Sequence, residues 1–214
     1  MASPINTILW DIDGTLVDSE PLHECAIEWV LRNNGFSPPH NLHTATLGLG
    51  TDETHGWLQS EMNLPISLES WKAQKQDYYL AHSAQLRFRN GAQSLWRELS
   101  LRGFQMGLVS NSERILVDAN IQAVFPDVEP PFSISRDDVQ NPKPSSEPYL
   151  KCAQHFGANP SQCIVIEDSP KGVQAGLSAG MKTFFIPENV SEPAPNGAIK
   201  VCDFRELGTK ISEF

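Results

Sequence analysis

A chain of 214 residues, with 40% hydrophobic and 20% charged residues, can bury a sizeable core. Its formal net charge is −10, without a long run of Lys or Arg, which argues against nucleic acid or an anionic membrane as a main partner. No stretch approaches the roughly 20 apolar residues of a membrane-spanning helix, and the first residues lack the pattern of a signal peptide. We therefore expect a cytoplasmic protein whose four cysteines are reduced thiols.

Short apolar runs rich in β-branched residues alternate with helical stretches along most of the chain. The predicted strands are Ile5–Trp10, Gln105–Ser110, Phe132–Ser135, Cys163–Glu167 and Thr183–Ile186. The predicted helices between the later strands are Ala92–Arg102, Ser112–Val124, Glu147–Phe156 and Lys171–Ala179. This alternation predicts a Rossmann-like α/β fold, in which helices flank a buried and mostly parallel sheet. The segment Pro187–Gly197, with three prolines, is predicted to be a surface loop.

A helical segment of about 70 residues interrupts the alternation after the first strand. Asp18 and Ser19 can begin its first helix, and Gly35 can end it. Two further helices are predicted at Asp52–Met62 and Leu68–Gln85. We therefore predict a small helical domain, residues 18–87, inserted into an α/β core domain formed by residues 1–17 and 88–214.

The first strand leads into two carboxylates, Asp11 and Asp13, and then Gly14. In an open α/β sheet, ligands bind beyond the carboxyl ends of the strands, so both acids should face that crevice. A calcium-binding loop needs Gly at its sixth position and Glu at its twelfth, whereas this stretch has Gly at the fourth and Leu22 at the twelfth. A charged turn without catalytic function fits this stretch equally well when it is considered alone.

Two other predicted strand ends carry polar groups that suit an anion. The second predicted strand ends at Ser110, and Asn111 and Ser112 follow it. A hydroxyl and backbone N–H groups at a helix start can bind a phosphate. A plain helix N-cap at Ser110 or Ser112 is the simpler interpretation of this motif alone. Lys143 lies between two prolines that restrict its backbone, although an incidental lysine in a surface turn would give the same pattern.

The fourth predicted strand ends at Glu167, and Asp168 follows it directly. Adjacent acids at the end of a buried strand repel each other unless a cation neutralises them. Mg²⁺ prefers oxygen ligands and usually keeps waters and a substrate phosphate in its shell. The glycines that follow, Gly172, Gly176 and Gly180, are interpreted as structural, because they let a helix lie close to the sheet.

Taken in chain order, these elements resemble the four motifs of the haloacid dehalogenase superfamily. The matching residues are Asp11-Ile12-Asp13-Gly14-Thr15, Ser110-Asn111, Lys143 and Glu167-Asp168. The run Asp18-Ser19-Glu20-Pro21-Leu22-His23 is similar to the β-phosphoglucomutase-like branch, in which a helical cap follows the first motif. Departures from the branch pattern at Asn90, Pro142, Ser146 and Glu147 concern loop geometry and remove no catalytic group.

The resemblance implies a Mg²⁺-dependent phosphatase of a small phosphorylated metabolite, such as a sugar phosphate. Asp11 would be the nucleophile that becomes an aspartyl phosphate, and Asp13 would be the general acid and base. The implied metal ligands are Asp11, Asp168, the backbone carbonyl of Asp13, and Glu167 directly or through water. The implied phosphate ligands are Thr15, Ser110, Asn111 and Lys143.

The cap should select the substrate. By resemblance, His23, Gly48 and Thr51 are candidate substrate contacts, and Lys75 is a weaker candidate for a cap cation. The mutase of this branch needs an Arg in the loop around Thr51 to hold a second phosphate, and Thr cannot replace its bidentate grip. We therefore favour a phosphatase over a β-phosphoglucomutase-type enzyme.

Two more distant alternatives are a dehalogenase and a binding module without catalysis, and the catalytic residues present favour neither. A dehalogenase expels halide, which needs no proton, so the presence of Asp13 favours phosphoryl transfer. A binding module without catalysis would keep the fold but would not need every catalytic group. The expected partner is a phosphorylated metabolite, and between a monomer and an oligomer we favour the monomer.

Overall fold

The computed structural model describes residues 4–46 and 49–214 of the chain. Its sheet contains the strands β1 (Thr7–Asp11), β2 (Gln105–Val109), β3 (Ser133–Ile134), β4 (Cys163–Glu167), β5 (Lys182–Phe185) and β6 (Ile199–Lys200). The strand order is β3-β2-β1-β4-β5-β6, and every neighbouring pair is parallel. The predicted Rossmann-like fold is thereby confirmed.

Helices flank this sheet or form a separate helical region. The helices are α1 (Glu20–Asn33), α2 (Leu42–Thr46), α3 (Thr51–Met62), α4 (Leu68–His82), α5 (Ala92–Leu101), α6 (Arg114–Val124), α7 (Glu147–His155), α8 (Pro170–Ser178) and α9 (Phe204–Ile211). No helix among the described residues is long and apolar enough to cross a membrane.

The chain divides into two compact units, which we call the core unit and the helical unit. The core unit comprises Met1–Asp18 and Arg87–Phe214, and the helical unit comprises Ser19–Leu86. Within the helical unit, α1, α3 and α4 bury an apolar cluster of their own. Its buried members are Ile27, Val30, Leu31, Leu42, Leu58, Leu64, Ile66 and Trp71.

The register of the central strands explains why the motif residues meet. Asp11 of β1 lies opposite Val109 of β2, and Trp10 lies opposite Ile166 of β4. All three strands run in the same direction, so the residues that follow them emerge at one edge of the sheet.

Three elements were not predicted from the sequence. Helix α2 has only five residues, and β6 has only two residues at the edge of the sheet. Helix α9 has a clearer signal, because Phe204, Leu207 and Ile211 recur at helical spacing and are buried. The carboxylate of Asp203 caps α9 by accepting a hydrogen bond from the Glu206 N–H at 2.7 Å.

Candidate active site

A tight turn after β1 brings Asp13 back to the same edge as Asp11. The N–H of Gly14 donates to the carbonyl of Val17 at 3.0 Å, and the N–H of Val17 donates to Ile12 at 2.9 Å. Gly14 has φ +73°, a conformation in which a Cβ would be strained. The side chain of Asp11 is only 9% exposed, so the first motif presents a nearly buried carboxylate.

Lys143 is the cation at the centre of this edge, and its side chain is 3% exposed. Its Nζ donates to Asp11 Oδ1 at 2.6 Å, to Glu167 Oε1 at 2.6 Å and to the carbonyl of Val109 at 2.9 Å. Burial lowers the pKa of Lys143, but the carboxylates of Asp11 and Glu167 more than offset this, and the net shift of the pKa is upward. Lys143 is therefore a fixed positive charge and not an incidental surface lysine.

Asn111 fastens the second motif to the third. Its Nδ2 donates to the carbonyl of Lys143 at 3.0 Å, and its Oδ1 accepts from the Lys143 N–H at 2.9 Å. Glu147, one of the departures from the family pattern, accepts hydrogen bonds from the N–H groups of Gln140 and Asn141 at 2.8 and 2.9 Å. These contacts hold the loop that carries Lys143.

Glu167 is completely buried, and both of its carboxylate oxygens accept hydrogen bonds. Oε1 accepts from Lys143 and from the Tyr149 hydroxyl at 2.6 Å each, while Oε2 accepts from the Ser169 hydroxyl at 3.0 Å. A Cβ at Gly172 would lie 1.8 Å from Oε1 of this carboxylate. The close approach predicted for the glycine is confirmed, and it accommodates the Glu167 side chain beneath α8.

Asp13 is held by three side chains from beyond β2. Its Oδ2 accepts from the hydroxyls of Ser110 at 2.7 Å and Ser112 at 3.0 Å, and its Oδ1 accepts from Asn120 Nδ2 at 2.8 Å. The plain N-cap interpretation of Ser110 and Ser112 is wrong, because Glu113 occupies the N-cap position of α6. The two hydroxyls instead donate hydrogen bonds to the Asp13 carboxylate.

Asp11, Glu167 and Asp168 form an acid cluster in which one ligand atom from each lies within 4.8 Å of the others. Burial raises the pKa of Asp11 to about 8, and the Glu167 charge adds to this against the opposing effect of Lys143. Asp11 Oδ2 is buried and has no hydrogen-bond partner among residues 4–46 and 49–214. An orphaned carboxylate oxygen beside two more acids fits a divalent metal, so this cluster can hold one.

This arrangement of the four motifs agrees with the family comparison. The sequence model of the haloacid dehalogenase-like hydrolase family matches residues 8–186 of this chain. The chain belongs to the haloacid dehalogenase-like hydrolase family. The resemblance found in the sequence motifs is thereby confirmed.

Two curated relatives of this hydrolase are named as phosphatases. A probable pseudouridine-5'-phosphatase of Drosophila melanogaster is 32% identical over 188 residues, which cover 84% of this chain and 80% of that protein. The fructose-1-phosphate phosphatase YqaB of Escherichia coli is 28% identical over 183 residues, covering 81% of this chain and 92% of that protein. Among solved structures, CbbY from Rhodobacter sphaeroides in complex with phosphate has a TM-score of 0.82 at 23% identity, covering 95% of this chain and 96% of that one. That likeness shows the shared fold.

The remaining predicted site residues of this hydrolase belong to the core unit, to the helical unit or to the part of the chain outside the described residues. Thr15 is completely buried, and its hydroxyl has no hydrogen-bond partner in the described part of the chain. In the helical unit, His23 stacks on Tyr79 at 4.5 Å between ring centroids, Thr51 is the first residue of α3, and Lys75 is largely buried in α4. Gly48 lies outside the described residues.

Sequence reasoning missed Asn120, Tyr149, Ser169 and Arg89. Arg89 donates to the carbonyls of Gly14 at 2.8 Å, Ile186 at 2.9 Å and Pro187 at 3.0 Å, and so ties the turn after β1 to the loop after β5. A polar residue on an otherwise apolar helix face is a usable signal for Asn120. The contacts of the other three residues depend on tertiary pairing that one sequence does not reveal.

Proposed function

We propose that this chain is a Mg²⁺-dependent phosphatase that hydrolyses a small phosphorylated metabolite through an aspartyl-phosphate intermediate on Asp11. The observation that carries the proposal is the environment of Asp11. One of its oxygens is fixed by Lys143, and the other is buried without a hydrogen-bond partner in the described chain. A carboxylate held this way, beside the acid Asp13, suits nucleophilic catalysis on phosphorus.

The metal would be held by Asp11, Asp168 and the backbone carbonyl of Asp13. Both oxygens of Glu167 already accept hydrogen bonds, so its contribution would be through water or through the placement of Lys143. When bound, Mg²⁺ supplies positive charge that neutralises the attacking carboxylate and a phosphoryl oxygen.

Hydrolysis then proceeds in two steps. An Asp11 oxygen forms a bond to phosphorus while the bond from phosphorus to the leaving oxygen breaks, and Asp13 gives that oxygen a proton. In the second step, Asp13 takes a proton from the water that attacks the acyl phosphate, which releases inorganic phosphate and restores the Asp11 carboxylate. The N–H of Asn111 would hold another phosphoryl oxygen. Lys143 already donates all three of its ammonium hydrogens within the protein, so it would supply positive charge without a direct hydrogen bond. The hydroxyl of Ser110 donates to Asp13, so the phosphate contact expected for it from the sequence is replaced by a contact with the general acid.

The relatives named above support a phosphorylated sugar or nucleoside as the substrate class, since their names specify fructose 1-phosphate and a pseudouridine phosphate. A mutase would need a cation for a second phosphate. The helical unit has three Lys or Arg residues. Arg32 pairs with Glu28 at 3.1 Å, and Lys72 pairs with Asp52 at 2.6 Å. The third, Lys75, is largely buried, so phosphatase is favoured over mutase.

The test is a screen of phosphorylated metabolites with release of inorganic phosphate as the readout. We expect turnover with Mg²⁺, loss of turnover with EDTA, and its recovery when Mg²⁺ is added back. Full activity in EDTA would contradict the proposed metal dependence. The mutase alternative is tested by ³¹P NMR of both anomers of glucose 1-phosphate with trace bisphosphate. Glucose 6-phosphate that forms faster than free phosphate would favour the mutase.

A further inference from the structure

Asn120 is a polar residue at a position that packing alone would give to an apolar side chain. It is completely buried in the interior of α6, on the face that also carries Val117 and Ile121. Burial of an amide is unfavourable unless the amide is hydrogen-bonded, and Asn is a weaker helix former than Leu or Ala. The position therefore calls for an explanation beyond folding.

The amide of Asn120 adds a donor on the second carboxylate oxygen of Asp13. The hydroxyls of Ser110 and Ser112 both reach Oδ2, whereas Asn120 Nδ2 reaches Oδ1 at 2.8 Å. The terminal torsion of an Asp side chain is broad, so donors on one oxygen alone leave the carboxylate plane loosely defined. A donor on the other oxygen, from a different element, fixes that plane.

The three donors also differ in how firmly they are anchored. Ser110 and Ser112 lie in the loop between β2 and α6, and each hydroxyl can rotate about its C–O bond. Asn120 lies inside a helix, with its side chain completely buried among packed neighbours. Sites built on helices are held more accurately than sites on loops.

We propose that Asn120 is a positioning residue that holds the carboxylate of Asp13 in the orientation needed for proton transfer to the leaving group. This inference rests on the proposed function, in which Asp13 is the general acid and base. Asn120 acts through Asp13 and not on the substrate. Its loss should impair the proton-transfer step and leave substrate binding unchanged.

The first test compares Asn120→Leu, which keeps the number and branching of the side-chain heavy atoms, with Val117→Ala, a change on the same buried face. Both are assayed on an alkyl phosphate and on an aryl phosphate, whose leaving group needs little protonation. For Asn120→Leu we expect kcat to fall about 10- to 100-fold on the alkyl substrate and less than about 3-fold on the aryl substrate. KM should change little for either substrate, and Val117→Ala should show no preference between the two.

The second test is a double-mutant cycle with Asp13→Asn. If Asn120 acts through Asp13, Asn120→Leu should have no further effect on kcat in the Asp13→Asn background. Asn120→Ala, a stronger helix former, is tested in parallel in case the Leu variant fails to fold. It should show the same selective loss on the alkyl substrate.

Each outcome decides between the two proposals. Equal losses on both substrates, or a loss that persists in the Asp13→Asn background, would overturn the role of Asn120 and leave the phosphatase proposal intact. Absence of any turnover by the wild-type protein with Mg²⁺ would overturn both.

Discussion

The core unit and the helical unit use their polar side chains differently. In the core unit, Asp11, Lys143 and Glu167 are buried and joined in one network, in which Lys143 binds both carboxylates. In the helical unit, buried polar side chains also make contacts that stabilise the packing of that unit. His55, for example, is buried and contacts the carbonyl of Ile66 at 2.7 Å.

Because of this difference, the reaction chemistry is easier to infer from the structure than the substrate specificity. Two carboxylates that share a buried lysine are costly to maintain for stability alone, because burying charges carries a desolvation penalty. Such a network therefore indicates function. A histidine stacked on a tyrosine, like His23 on Tyr79, serves packing equally well.

The largest expected effect comes from Asp11, the proposed nucleophile in the core unit. Asp11→Asn should lower kcat by at least about 10³-fold, because it removes the covalent catalyst. The matched control is Asp127→Asn, an exposed acid in the same unit, which should leave kcat within about 2-fold of wild type. Steady-state phosphate release measures both. Comparable losses in the two variants would mean that the acid network is not the catalytic site.

The pH dependence of stability tests the electrostatics of the same network. In EDTA, the unfolded chain releases the Asp11 proton near pH 4, whereas in the folded state the pKa is about 8. The folded state binds more protons between these values, so its free energy of unfolding should fall as pH rises from about 4 to 8. Asp11→Asn should lose this part of the slope.

Urea unfolding in EDTA, compared between wild type and Asp11→Asn at several pH values, measures that difference. Mg²⁺ should stabilise the wild type more at pH 8 than at pH 5, because the ion binds the ionised acids. Identical slopes in the two proteins would contradict the assigned environment of Asp11.

A smaller effect is expected from Tyr149, which supports the network without belonging to a motif. Tyr149→Phe removes the hydroxyl that donates to Glu167 at 2.6 Å. We expect a loss of about 1–3 kcal/mol in the free energy of unfolding and about a 10-fold fall in kcat, through looser placement of Lys143. Chemical denaturation and steady-state kinetics measure the two effects. Unchanged stability would show that this hydrogen bond contributes nothing.

The smallest effects are expected in the helical unit. Thr51→Ala and His23→Gln should each change kcat/KM by less than about 10-fold, by amounts that differ between substrates. Mg²⁺ affinity should not change, because its proposed ligands all lie in the core unit. A loss of Mg²⁺ affinity in either variant would contradict the assignment of metal binding to the core unit alone.

The sequence predicted five of the six strands within about two residues, because apolar β-branched runs mark buried parallel strands strongly. It also singled out Asp11, Asp13, Lys143 and Glu167 as candidate site residues, since each ends a strand, follows one or lies in a distinctive loop. It did not identify Asn120, whose partner Asp13 is 107 positions away. Such contacts follow from strand register and helix packing, which a single sequence does not specify.

The central claim is that Asp11 is the residue that becomes phosphorylated. The most direct measurement is acid quenching of the enzyme during turnover of a ³²P-labelled substrate with Mg²⁺, followed by mapping of the labelled peptide. We expect label on the peptide that contains Asp11, sensitivity of that label to hydroxylamine as expected for an acyl phosphate, and no label in Asp11→Asn. Turnover that continues in Asp11→Asn, or label on a different residue, would contradict it.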